Sequence, residues 1–584
     1  MSHGATLRLT TAEGNLWPAR VFVGGIWLLS TLGLLVYVFR YGSNVPFFDD
    51  WHMVPYLTGD RPVTLEWLWS QHNDHRVPLS RLLLLGLGKV SGSDFRAGMV
   101  FDVLALSATS LVLIATSRGL RGRLSPADAF LPLLLLNPGQ WETYLWWWIV
   151  SLTLPITMAL LVLAIMARGG LRPPAWAVTT AGLLTLAMPL ADSAGLAFVP
   201  AFVLWFVLVA VAACRAKKGS VVISPKKTPD PFVAFFALVF AIAATGLVIV
   251  NYIGYARAAG APHEPTIPAA LRTAIEFLSM GIGQAAVLIW PLSALIVLGM
   301  IGAAVNGLGR TWVEQPADRS RVVALVCFLA GAACLAFALG WGRCGEGESA
   351  GFKSRYVVMA LPVPCAAFLC WSGFRGTWRP AVQSVMCLLM LLLLPFNIKT
   401  AIDSAENYRP HFAAFQQDLG DGKSPSLLAE RHTTFLFPER GDWSDKLFVR
   451  DRLLMLQRAG IGPCCDMAPD LALREKPLAF DPSHLPDVPT EPEDVVAVRI
   501  RYSAANPESQ PVSLVVRWQA PGDPTLVQAE VVSVPTIFIL GPGPFAERTV
   551  LAYLDHRIDR LQIEAGDPSI PIAVRGIVLL VKDE

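Results

Sequence analysis

The sequence predicts a polytopic α-helical membrane protein of about eleven spans, followed by a C-terminal domain built from β-strands. Three observations lead there. Of 584 residues, 54% are hydrophobic and only 16% charged, and mean hydropathy is +0.49. Apolar runs long enough to cross hydrocarbon, about 20 residues each, recur as far as Pro395. Beyond that point charges become frequent, and towards the C-terminus the apolar period falls to two.

The runs lie near residues 20–40, 97–117, 127–137, 146–167, 174–191, 195–213, 232–251, 284–305, 321–342, 355–372 and 381–398, the third being short. The first lacks a small-residue cleavage site and reads as a retained anchor. Loops 118–123, 168–172, 215–227, 310–321 and 375–379 are basic and nearly free of acids. The positive-inside bias then sets the N-terminus in the cytoplasm of a cell inner (cytoplasmic) membrane and the C-terminus outside it. A net charge of +2 without a basic, aromatic-interleaved stripe gives no nucleic-acid footprint. Cys327, Cys334, Cys365, Cys370 and Cys387 fall inside apolar runs, where thiols behave as small hydrophobes. Cys464 and Cys465 are adjacent, and neighbouring cysteines bridge only with strain, so no disulfide is assigned.

Three regions follow. Residues 1–398 form the membrane domain, with a long first outer loop at 41–95. Residues 399–480 mix helical and short apolar segments in an α/β connection. Residues 481–584, entered through a Pro-rich stretch at 480–492, alternate apolar and polar residues over 495–502, 512–518, 526–534, 548–554, 558–564 and 572–581, the pattern of a β-sandwich or jelly roll. The spans show no internal repeat, which argues against an inverted-repeat transporter.

Ionisable residues of the membrane domain gather on one side. Asp49, Asp50, Asp60, Glu66, Asp74, Asp102, Glu142, Asp192, Glu276, Glu346 and Glu348 all fall in outer loops or outer span ends of this topology, while span centres are almost uncharged. A proton- or ion-coupled carrier more often places carboxylates at the midplane. The strongest signal is Phe47-Phe48-Asp49-Asp50-Trp51, two carboxylates among aromatics just beyond the first span. In Gln71-His72-Asn73-Asp74-His75-Arg76, the three-residue spacing suits His72 and His75 to one helix face with Arg76, where they would meet a metal or a phosphate. Glu142 follows the Pro/Gly loop 137–141, and Trp146-Trp147-Trp148 behind it reads as an interfacial belt. Lys353-Ser354-Arg355-Tyr356 opens a late span with cations suited to snorkelling or to holding a phosphate.

With these residues in place, the chain resembles the C-type membrane glycosyltransferases, the superfamily of protein O-mannosyltransferases and lipid A aminoarabinose transferases. The shared features are the acidic pair Asp49-Asp50, a long first outer loop with surface helices, the acidic loop at Glu142 and the Arg355-Tyr356 span entry. The resemblance implies a GT-C fold, a polyprenyl-phosphate-linked sugar donor and a glycan, lipid or protein acceptor at the extracytoplasmic face of the membrane, among membrane lipids. It also implies inverting transfer of a hexosyl or pentosyl group. Asp49 takes the position of the general base, with Asp50 where many relatives carry Glu. Arg355, Lys353, Tyr356 and Arg76 would bind the donor phosphate, and His72, Asp74, His75 and Glu142 would orient substrate hydroxyls. Asp50, Asp74 and His75 would hold a divalent cation, Mg or Mn, if the reaction uses one. The rival readings are a lipid-linked oligosaccharide ligase or polymerase, a transporter or flippase of lipid-linked sugars, and a non-catalytic scaffold.

Overall fold

The computed structural model describes residues 17–219, 231–256, 265–437, 443–482, 484–504, 513–532, 547–566 and 572–582. Part of the basic loop 215–227 and the end of the expected strand 526–534 lie outside the described residues. Two compact units emerge, the first comprising 1–43, 63–91 and 95–407 and the second 44–62, 92–94 and 408–584. The boundary near residue 407 falls within one 43-residue helix, Trp378–Gly420, so the helix that carries the last apolar run continues beyond 398 through a polar stretch.

Nine helices among the described residues are long and apolar enough to cross a membrane. They are Trp17–Tyr41, Arg96–Arg121, Trp147–Gly169, Ser193–Arg215, Phe232–Tyr252, Leu292–Glu314, Pro316–Glu346, Tyr356–Gly373 and Trp378–Gly420. Two further apolar runs form the shorter helices Pro126–Leu135 and Ala175–Ala191. At 1.5 Å per residue the first of these covers about 15 Å, half of a hydrocarbon core. Its apolar residues Phe130 to Leu135 are buried by protein, which removes the need to span. Tyr356–Gly373 is buried along its length and forms the centre of the unit.

Close approach needs small residues at specific points. Gly98 lies against Trp147, and a Cβ there would stand 2.3 Å from the indole Cδ1. Gly283 adopts φ +97°, a left-handed conformation that favours glycine, beside Asn397. Asn397 accepts from the Ala285 N–H at 2.9 Å and donates to the Ile282 carbonyl at 3.0 Å, and Asn137 donates to the same carbonyl at 3.2 Å. Asn137 also accepts from the Gly139 N–H at 2.9 Å, so the Pro/Gly loop is fastened by buried amides.

The loop after the first helix is divided between the units. In the first unit the helices Leu65–Trp69 and Pro78–Ser91 flank a two-stranded hairpin, β1 (Gln71–His72) and β2 (His75–Arg76). The second unit combines helices Pro425–Leu436 and Trp443–Ala459 with β3 (Leu473–Leu478), β4 (Asp487–Ala504), β5 (Ser513–Gln519), β6 (Leu526–Val532), β7 (Glu547–Ala565) and β8 (Ile572–Lys582). These strands form one antiparallel sheet in the order β3-β8-β4-β7-β5-β6. The runs expected at 548–554 and 558–564 are one continuous strand, β7, with Asp555 at φ +49° marking an irregularity where the alternation lapses. Part of the Pro-rich stretch belongs to β4: the register breaks between Pro489 and Glu493, where prolines without an N–H cannot extend the ladder. One face of the sheet buries Val498, Ile500, Val516, Trp518, Leu561 and Leu579, and the other packs Val496, Leu551 and Leu580 with Leu427 of the helix Pro425–Leu436.

Candidate functional site

Among the sequence-selected residues of the first unit, Glu142 and Arg355 are brought together. Glu142 is buried in the short helix Trp141–Leu145, and its Oε2 accepts the backbone N–H of Arg355 at 3.0 Å. The Arg355 guanidinium stands 3.9 Å from the same oxygen and lies over the rings of Trp146 and Tyr356. Burial raises the Glu142 carboxyl above the usual carboxylate range, with Arg355 and then Lys353 opposing it. Lys353 is ion-paired to Glu346, which also accepts from Arg343 at 2.6 Å. The span entry therefore gathers three cations and two carboxylates, all partly or largely withdrawn from solvent. Tyr356 is buried with its ring edge against Phe277.

His72, Asp74, His75 and Arg76 do not share a helix face. They form the β1–β2 hairpin, in which His72 pairs across the strands with His75 and Asn73 turns the chain at φ +47°. The period-of-three reading fails because Asn73-Asp74 supplies a tight turn, where Asn tolerates the left-handed region. Cross-strand pairing still leaves the two imidazoles 6.0 Å apart, but they face different partners. His72 packs against Trp148 at 4.6 Å, and His75 Nε2 lies 3.3 Å from Asp192 Oδ2. Arg76 is buried, and its guanidinium donates to the carbonyls of Trp69, Asn251 and Ile253 at 2.6, 3.3 and 2.9 Å. That arrangement fastens the hairpin to the end of helix Phe232–Tyr252 and gives Arg76 a structural task in place of the phosphate contact expected from sequence.

Within the second unit, Asp49 and Asp50 lie on the 3-10 turn Phe48–His52. Phe48 holds φ +49°, which is costly for a bulky residue. Asp50 is buried, and its Oδ2 accepts the Phe47 N–H at 3.0 Å, capping the turn. Asp49 is only half buried and offers a ligand oxygen within 4.8 Å of a ring nitrogen of His52. The His52 ring packs against Phe437 and Phe448, and the Trp51 carbonyl accepts from Arg452 at 3.1 Å.

A cation-binding set composed of Asp50, Asp74 and His75 has little support in these contacts, because Asp50 caps a turn and His75 faces Asp192. Asp49 and His52 bring a carboxylate oxygen and an imidazole nitrogen within 4.8 Å of each other, donor types that suit a metal. Sequence reasoning passed over His52, Arg343 and the pairing of Asp192. Arg343 carried a signal: it is a lone cation at the end of a run that the charge bias assigns to the outer side, where basic residues are sparse. His52 lies within three residues of Asp49 and was overshadowed by the acidic pair.

No protein-family model matches this chain, and no curated protein matches it. Among solved structures, it is similar to an oligosaccharyltransferase of Archaeoglobus fulgidus in complex with Zn and sulfate, at 13% identity and a TM-score of 0.35. The match covers 68% of this chain and 55% of that one. A second structure of the same enzyme, tethered to an acceptor peptide containing the NVT sequon, matches at 12% identity and a TM-score of 0.36, over 69% of this chain and 58% of that one. The chain thus spans little more than half the length of these neighbours.

Proposed function

We propose that the protein transfers a sugar, with inversion, from a polyprenyl-phosphate donor to an acceptor hydroxyl on a glycan, lipid or protein at the extracytoplasmic face of the membrane. The observation that carries the proposal is the Glu142–Arg355 pair at the entry of the buried span Tyr356–Gly373. It supports a phosphate role because Glu142 accepts the Arg355 backbone N–H and so positions a partly exposed guanidinium, a group whose planar fork matches phosphate oxygens.

In this reading the acceptor oxygen attacks the anomeric carbon as the bond from that carbon to the phosphate oxygen breaks. The electron pair leaves on the lipid phosphate, whose growing charge is stabilised by Arg355 and Lys353. The acceptor proton passes to a carboxylate, and Asp49 is the proposed base from its place in the acidic pair that follows the first span. Glu142, His72, Asp74 and His75 orient hydroxyls. A divalent cation, where bound, would help neutralise the phosphate.

Arg355→Ala tests the proposal. Titration of the purified variant with a polyprenyl-phosphate sugar should show donor affinity reduced about tenfold or more, the scale of a lost charge-assisted hydrogen bond, with thermal stability close to wild type. Unchanged affinity and turnover would remove Arg355 from the donor site.

A further inference from the structure

The second unit contains a cleft of about 400 Å³ remote in sequence from Asp49 and Asp50, within the range of small-ligand pockets. Helix Pro425–Leu436 contributes Ser426 and Glu430 from one face, and helix Trp443–Ala459 contributes Lys446 and Arg450, one turn apart. Asp470 and Glu475 come from the segment entering and forming β3. Leu471, Leu473 and Leu580 supply an apolar surface between these charges.

Glu430 is the key residue. It is 7% exposed, and its Oε2 accepts from Lys446 at 2.7 Å and lies 3.3 Å from Arg499 Nε. Its other oxygen, Oε1, is buried without a hydrogen-bond partner among the described residues, which is costly for a carboxylate. Arg499 also binds Glu475 at 2.5 Å, and Asp470 Oδ1 accepts the Ser426 N–H at 2.9 Å. Burial pushes the Lys446 ammonium below its ordinary range, with Glu430 opposing that effect.

The polarity of the lining selects the ligand class. Carboxylates only accept hydrogen bonds, and ammonium and guanidinium groups only donate them. An anion would meet Glu430, Asp470 and Glu475, and a polyamine would meet Lys446 and Arg450, so each carries a like-charge penalty. A hydroxyl both donates and accepts, and a chain of hydroxyls on a C–H framework meets the carboxylates, the cations and the leucines together. We infer that this cleft is a binding site for an uncharged sugar unit, with Glu430 accepting from a hydroxyl. The inference goes beyond the transfer reaction, and because binding is read without turnover, it stands or falls separately from that reaction.

The test uses the full chain in phosphatidylcholine nanodiscs with maltose as a neutral probe, and glucuronate and spermidine as charged ones, followed by saturation-transfer NMR and hydrogen–deuterium exchange. Maltose should bind and should protect amides of Pro425–Leu436 and Leu473–Leu478. Glu430→Gln should weaken maltose about tenfold, the scale of one charge-assisted hydrogen bond. Asp470→Asn, at an exposed position and still able to accept from Ser426, should also weaken it and serves as the second variant if Glu430→Gln unfolds. Preferential binding of glucuronate or spermidine, maltose protection confined to other segments, or wild-type maltose affinity in a folded variant would overturn the inference.

Discussion

Asp49 and Asp50 are adjacent in sequence and divided by environment. Asp50 is buried and spends an oxygen on the Phe47 N–H, whereas Asp49 is half exposed beside His52. A carboxylate that caps a turn commits one of its oxygens to the backbone. Asp50→Ala should therefore lower stability by about 1 kcal/mol through loss of the cap, and Asp50→Asn, which keeps an oxygen, should lower it less. Denaturation of the purified variants in detergent checks this, and equal stability for Ala and wild type would contradict it. Glu142 makes a second prediction. Its folded carboxyl is raised by burial, so the folded chain keeps that proton at pH values where the unfolded chain has lost it. The resulting stabilisation is complete below the unfolded carboxylate range and fades as pH rises through the raised folded value. Glu142→Gln lacks this dependence and preserves an acceptor for the Arg355 N–H. Its unfolding midpoint should therefore improve relative to wild type as pH rises from about 4 to about 8, and a difference that does not change with pH would refute the assignment.

At the scale of elements, apolar length was readable and local turn chemistry was harder. The runs near 20–40, 97–117, 146–167 and 232–251 all appear as long helices, since about 20 apolar residues admit few other solutions. The 71–76 segment escaped because a three-residue spacing of histidines is common to a helix face and to a tight hairpin, and only Asn73 at positive φ decides between them. The β-strands followed the period of two, yet the break at Asp555 concealed that 548–554 and 558–564 are one strand. Contacts between distant segments, such as Glu142 with Arg355 or Arg76 with Asn251, have no local sequence pattern at all. The loop that precedes Glu142 is fastened by Asn137, which donates to the Ile282 carbonyl, an acceptor it shares with Asn397. Gly283→Ala should damage it: φ is +97° and the new Cβ would stand 2.3 Å from Asn397 Oδ1. A loss of about 2 kcal/mol or more is expected, read as a lowered unfolding midpoint. Wild-type stability would show that the amide cluster yields readily.

Across the whole molecule, a multi-pass helical unit and a second unit with a six-stranded sheet share one chain of 584 residues. Composition alone indicated the first, and the change of period indicated the second. In the proposed reaction, cations at a span entry and a carboxylate pair after the first span would share one chemical logic, sugar transfer from a lipid phosphate. The direct test is an assay of purified protein with a labelled polyprenyl-phosphate sugar and its acceptor, comparing wild type with Asp49→Asn at equal amounts of folded protein. Wild type should release polyprenyl phosphate and form a product of inverted anomeric configuration, and Asp49→Asn should turn over roughly 10² to 10⁴ times more slowly, the contribution of a general base. Absence of lipid-phosphate release by active, folded wild-type protein, or near-normal transfer by Asp49→Asn, would contradict the proposed reaction or its base.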